Sequence, residues 1–180
     1  MTHPSEPDLG GPRMDADMPD YSDPGGDDFE SLSRDRIPLR SAVPDDLEAI
    51  LRIDGKITGR DRRAYFEAKM REMMGETGVR ISLVAELDGD VVGFVMARVD
   101  YGDFGRAEPA AVIDTLGVNP AFTHHGIGSA LLSQLFTNLA ALHVESTRTR
   151  ARWNDFQLLG FLEESGFQPA QQLVLRKKLK

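Results

Sequence analysis

Residues 110–153 set a glycine-rich turn and one long helical pattern between two β-patterned runs, "AAVIDTLGV" and "STRTRARW". A strand–helix–strand connection of that length joins parallel strands, whereas a hairpin joins antiparallel ones. The helical pattern runs from Gly126 to about His143, with Ile127, Leu131, Leu135, Leu139 and Leu142 on one face. Upstream, "VRISLVAELDGDVVGFVMARVDYG" reads as a hairpin turning at Asp88-Gly89, a pair that tolerates positive φ. "IPLRSAV" reads as a short strand, and Pro44, Asp45 and Asp46 open a helix that runs to about Asp54, with Gly55 loosening its exit. A second helix starts at Asp61 as N-cap and ends near Gly75. After the second parallel strand, "DFQLLGFLEES" predicts a helix ending at Gly166, and "LVLRKKL" a closing strand. The order is β-α-α-β-β-β-α-β-α-β, an α/β domain with a mixed, mostly antiparallel sheet and one parallel pair.

Charge divides the chain. Residues 1–36 carry ten acidic and three basic side chains, −7 of the total −8, and are rich in Asp, Pro and Gly without apolar periodicity. Such a segment buries too little apolar surface to offset its ordering entropy, so 1–36 is read as a disordered acidic tail and 37–180 as one domain. The chain has no cysteine, which removes disulfides, thiolate metal sites and a thiol nucleophile together. No signal pattern and no run of about 18 apolar residues is present, so a cytoplasmic protein is expected. Net acidity without an aromatic-interleaved basic patch argues against nucleic acid.

The turn that opens the long helix, "HHGIGSA", sets Gly126 and Gly128 before the small residues Ser129 and Ala130. A helix N-terminus presents unpaired amides and partial positive charge, and glycines let a phosphate approach the backbone. A Walker loop would need Gly-Lys-Ser/Thr, which is absent. A dinucleotide fingerprint would need a third glycine near Leu131 and an acid on the next strand, where arginines stand instead. The remaining grip is that of a coenzyme A pyrophosphate.

"LGVNPAFTHHGIGSALL" resembles the coenzyme-binding motif of the GNAT superfamily of N-acetyltransferases. "WNDFQLLGFLEESGF" is similar to the motif that follows it there, and "AVPDDLEAI" to the opening helix; the likeness spans Ile37 to Lys180. The resemblance implies that two adjacent parallel strands splay apart around acetyl-CoA. It also implies that a bulge near Leu116, Gly117 and Val118 frees backbone groups for the pantetheine arm. Gly117 suits a bulge independently. The pyrophosphate would sit on the turn at Thr123, His124, His125, Gly126, Ile127, Gly128, Ser129 and Ala130, while Asn154 and Phe161 would contact the coenzyme. Two positions depart from the family pattern: Thr123 stands where Arg or Gln is usual, and Leu162 where many members carry a proton-donating Tyr. In similar proteins an exposed edge strand often makes a homodimer.

The implied reaction is attack by a primary amine on the acetyl thioester within a ternary complex, with no covalent intermediate. Positioning can supply about 7–11 kcal/mol and an acid or base about 10²–10⁴-fold. A thiol of pKa about 8.5 leaves moderately well unprotonated. The Val118 N–H is the candidate oxyanion donor. Asp114 is the nearest acid that could serve as base; Glu86 is weaker, and a water chain would serve equally well. Several residues also have plain structural readings. His124 and His125 can be exposed turn residues; Arg148, Arg150 and Arg152 share either a solvated strand face or a grip on an acidic acceptor or the coenzyme 3′-phosphate. Trp153 reads as packing; Tyr65, Met70, Met73 and Met74 as core or acceptor border; Gly160 as a point of close approach. No spacing supports a metal site. The alternative to an enzyme is a non-catalytic acyl-CoA-binding module, and a third reading is a binder of another nucleotide.

Overall fold

The computed structural model describes residues 37–75, 78–101, 109–171, 174 and 176–179. The predicted tail, 1–36, lies outside the described residues. Strand β1 (Leu39–Ser41) leads through a 3-10 turn at Pro44–Asp46 into α1 (Leu47–Thr58), followed by α2 (Arg63–Met74). Then come β2 (Arg80–Leu87), β3 (Asp90–Asp100), β4 (Ala110–Val118), α3 (Ile127–Ala141), β5 (Ser146–Arg148) and α4 (Phe156–Glu164). The described strands form one sheet in the order β1-β2-β3-β4-β5, with antiparallel neighbours except for the parallel pair β4–β5. This is the mixed sheet the crossover predicted.

Both faces of the sheet are covered, and β3 shows why its sequence is almost continuously apolar. Val95, Ala97 and Val99 face Ile127, Leu131, Leu135 and Leu139 of α3, whereas Phe94 and Met96 face Ile50, Ile53, Phe66 and Met70 of α1 and α2. Phe66 meets Phe94 edge to face at 5.7 Å. The β2–β3 hairpin turns at Asp88 (φ 54°) and Gly89 (φ 84°), the paired left-handed conformations that suit strand twist.

Several expectations are corrected. Helix α1 does not stop at Asp54: it continues through Gly55 to Thr58, because a single glycine weakens a helix without ending it, and Gly59 caps it at φ 66°. Asp61 accepts from the Arg63 amide at 2.9 Å, capping α2 from one residue further out than the helical start required. Strand β5 is three residues long, so the alternation expected through Trp153 ends at Arg148. Within "LVLRKKL", Val174 and Arg176–Leu179 have no regular secondary structure; Leu173 and Leu175 lie outside the described residues.

The bulge is displaced as well. Val95, Phe94 and Gly93 pair in regular register with Leu116, Gly117 and Val118, and the break falls between Thr115 and Ile113, making Asp114 the extra residue. Asp114 and Thr115 therefore both lie on the α1–α2 face. Gly117 has a different reason to be glycine: a Cβ there would lie 2.8 and 2.9 Å from ring atoms of Phe94 and 3.1 Å from Ile57. Gly117→Ala is expected to destabilise the fold by about 1–3 kcal/mol. Adding Phe94→Leu should recover part of that loss in urea unfolding, since the two changes share one contact.

Candidate functional site

β4 outlasts its parallel neighbour. The β4–β5 register runs Ala110–Ser146, Ala111–Thr147 and Val112–Arg148 and then ends, while β4 continues six residues to Val118. Only the Thr149 hydroxyl follows, donating to the Ile113 carbonyl at 3.1 Å. The direction of the free backbone groups follows from the other edge. The Asn119 amide donates to the Val92 carbonyl at 2.8 Å, which makes Gly93–Val118 a non-hydrogen-bonded pair of the β3–β4 ladder. Val118, and Leu116 two residues earlier, thus turn their N–H and C=O groups away from β3 and into the gap that β5 leaves open. Among the described residues no strand pairs with this stretch, so its backbone groups form an open edge of donors and acceptors.

At the end of that gap stands the N-terminus of α3. Gly126 is its N-cap at φ 74°, a left-handed conformation that costs a residue with a Cβ about 1–2 kcal/mol. The first helical bond runs from the Ala130 amide to the Gly126 carbonyl at 2.9 Å, leaving the amides of Ile127, Gly128 and Ser129 without intrahelical acceptors. The Ile127 side chain is buried against Gly93, where a Cβ would come within 2.7 Å of it, and this contact fixes the helix end to the sheet. His124 is exposed with φ 64°, and His125 is exposed with Nδ1 2.9 Å from the Thr123 carbonyl. Thr123 donates to the Pro120 carbonyl at 3.2 Å. Gly128 faces the Phe161 ring of α4, whose nearest atoms would be 3.0 and 3.1 Å from a Cβ. Its lack of a side chain is thus also a helix-packing requirement. Asn154 is exposed in the turn before α4.

Over the α1–α2 face of β4 lies a chain of alternating charge that sequence reading did not find. Asp114 accepts from Lys69 of α2 at 2.7 Å and from Arg98 of β3. Arg98 also reaches Asp100 at 2.9 Å, which accepts from Arg148 of β5 at 3.2 Å; Lys69 reaches Glu72, which pairs with Arg80 at 3.1 Å. Burial alone would weaken the Lys69 ammonium and the Arg98 guanidinium, but the hydrogen bonds and charge of Asp114, helped by Glu72 and Asp100, hold both above their ordinary values. Arg62 pairs with the buried Asp54, whose hydrogen bond raises it likewise, and stacks over Tyr65 at 5.3 Å. One signal was legible: Arg98 interrupts the apolar β3 run at an inward position, between Ala97 and Val99.

Other predicted residues are dispersed. Glu86 on β2 is bound to Arg40, which also holds Asp46; β3 separates it from β4. Arg150 and Arg152 follow β5 as exposed, irregular chain rather than sharing a strand face with Arg148. Trp153 is 83% exposed, not packed, and a Cβ added at Gly160 would meet none of the described residues beyond its own helix within 4 Å. Leu162 is buried, and neither it nor Phe161 can donate a proton. Among the described residues no acidic, histidine or cysteine group is arranged to hold a metal, and no helix is long and apolar enough to cross a membrane. A surface hollow of about 390 Å³ beside Phe136, Thr147 and Gly166 shares no residue with the gap or the glycine turn.

The fold has known counterparts. The sequence model described as the acetyltransferase (GNAT) family matches residues 46–167, and the chain belongs to that family. A transcriptional regulator from Bacillus halodurans C-125 superposes with TM-score 0.68 at 18% identity, covering 79% of this chain and 99% of its own. The aminoglycoside 6′-N-acetyltransferase AAC(6')-IG from Acinetobacter haemolyticus gives 0.68 at 17%, with the same coverage. AAC(6')-Iy, in complex with a bisubstrate analogue of CoA and acetylneamine, gives 0.67 at 17%, covering 80% of this chain and 99% of its own. At these identities the structures establish a shared fold.

Asp114 is a structural keystone whatever its chemical part. Removing it leaves Lys69 with Glu72 alone and Arg98 with Asp100 alone as counter-charges, whereas breaking a fully buried pair costs about 3–5 kcal/mol. Because a third of the Arg98 side chain is exposed, solvent screening lowers the figure. Asp114→Ala should cost about 1–3 kcal/mol in chemical denaturation, and Lys69→Met in the same background should restore part of it.

Proposed function

We propose that residues 37–180 form an acetyl-CoA-dependent N-acetyltransferase that moves an acetyl group to a primary amine by direct attack in a ternary complex. The observation that carries this reading is the alignment of the Leu116–Val118 open edge with the free amides of α3. An acyl-CoA has the matching order of parts: a diphosphate for the helix N-terminus, an amide-bearing arm for the strand edge, and a thioester at its far end. AAC(6')-Iy, a protein of the same fold, is described in complex with CoA, which supports the choice of coenzyme. The amides from His125 to Ala130 hold the diphosphate, with Thr123 and His124 shaping the turn, and Asn154 and Phe161 border the arm.

The Val118 N–H, with that of Leu116 deeper in the gap, faces the carbonyls of arm and thioester and stabilises the developing oxyanion. Both Asp114 oxygens already accept from cations, so we assign that carboxylate to holding Lys69 and Arg98, while the amine loses its proton to water in the gap. Most of the rate would then come from orientation, about 7–11 kcal/mol, in a site that needs no nucleophile of its own. The absence of cysteine fits a reducing, cytoplasmic setting.

Calorimetry tests the reading. Acetyl-CoA should bind, and Gly126→Val should weaken binding at least tenfold by straining the φ 74° turn and crowding the amides. Release of CoA on adding amines separates an enzyme from a binding module, which would bind acetyl-CoA and release none. Stabilisation by ATP or NAD but not by acetyl-CoA would overturn the assignment.

A further inference from the structure

With a diphosphate on α3, the α1–α2 face of β4 is the side from which an amine can approach a thioester at Leu116. A strip of charge crosses that face. Arg62 lies over the Tyr65 ring at 5.3 Å, and the Lys69 ammonium lies over the same ring at 5.8 Å. Lys69 and Arg98 both reach Asp114, two residues before Leu116, while Arg98 and Arg148 both reach Asp100. The acids lie beneath the cations: the Arg62 side chain is 35% exposed against 4% for Asp54, and Arg98 is 33% exposed against 12% for Asp114. Glu72, at the β2 end of the strip, is the exception, being more exposed than the Lys69 and Arg80 it bridges. A molecule arriving over Asp114 therefore meets N–H donors before carboxylate oxygens. Arg98 also has donors to spare. Among the described residues three of its five N–H groups go to Asp100 and Asp114, which leaves one on each terminal nitrogen.

Resting on the acetyltransferase reading, we propose that the acceptor is a small amino acid, an amine with a carboxylate a few bonds away, and that Arg98 holds this carboxylate. The two remaining N–H groups of its planar guanidinium suit a carboxylate, and the strip around it supplies the matching sign. The same cations favour the nucleophile, because an ammonium brought close to Lys69 and Arg98 gives up its proton more readily than in water. A polyamine or an aminoglycoside carries several positive charges and no carboxylate, so it meets repulsion on this face without a compensating contact.

The test offers the full-length protein the common L-amino acids, each as the free acid and as its α-amide, beside spermidine and kanamycin. CoA release can be followed with a thiol reagent, since the chain has no cysteine to react. The best free acid should exceed its own amide at least about tenfold in kcat/KM, the scale of one charge-assisted hydrogen bond, although the amide holds more neutral amine. Arg98→Met keeps an unbranched stem and leaves Asp114 with Lys69 and Asp100 with Arg148. It should raise KM for the acid about 10- to 100-fold while leaving KM for the amide and the acetyl-CoA Kd as in the wild type. Amides, spermidine or kanamycin used better than every free acid overturn the amino-acid acceptor and leave the acetyltransferase reading standing. An equal loss for acid and amide in Arg98→Met assigns Arg98 to the fold and overturns its part. If that variant does not fold, the acid-to-amide ratio of the wild type decides alone. Wild-type protein that binds acetyl-CoA but acetylates none of these amines removes the transfer reading, and the acceptor with it.

Discussion

The early end of β5 is the constraint from which the site follows. A strand edge inside a protein normally has every N–H and C=O paired, because an unpaired buried group forfeits its hydrogen bonds to water without replacement. β4 is paired with β3 along its length, yet its other edge loses its neighbour after Val112. At Leu116 and Val118 the chain presents outward-facing backbone groups with no strand beside them among the described residues. The parallel crossover makes this possible: β4 and β5 enter side by side, and the right-handed connection through α3 brings the helix N-terminus to the end of β4 where the gap lies.

Rigidity around the gap comes from close packing on both faces. Ile127 locks the start of α3 against Gly93, and Phe161 locks α4 against Gly128. On the opposite face Phe94 fills the space above Gly117, and Phe66 packs against Phe94. Each of these glycines is small because an aromatic or branched side chain occupies the space a Cβ would need. A strand edge and helix end held in such a frame reorient little when a ligand binds.

The charged chain from Arg148 through Asp100, Arg98, Asp114 and Lys69 to Glu72 and Arg80 ties β5, β3, β4, α2 and the start of β2 together. Charges this close to the sheet are costly to desolvate, and each acid in the chain is bridged between two cations. The Asp114 bulge is the local cause. By inserting one residue it turns two successive side chains, Asp114 and Thr115, to the same face and brings the carboxylate under Lys69.

Much of this was legible from residue order alone. Apolar patterning marks β2, β3, β4 and α3; Asp88-Gly89 marks the hairpin; and Gly126 marks the start of the long helix. These features are local: they depend on φ preference, side-chain alternation and amide geometry within a few residues. What the sequence left open is non-local. Where β5 stops, where β4 bulges and which cations find Asp114 depend on residues tens of positions apart meeting in space. Gly117 illustrates the difference, since its identity suggested a bulge but its cause is the ring of Phe94 on the neighbouring strand. Tyr65 is a further case: sequence left it divided between core and acceptor border, and only the packing of α2 set its ring half-buried against Phe66, with Arg62 over it.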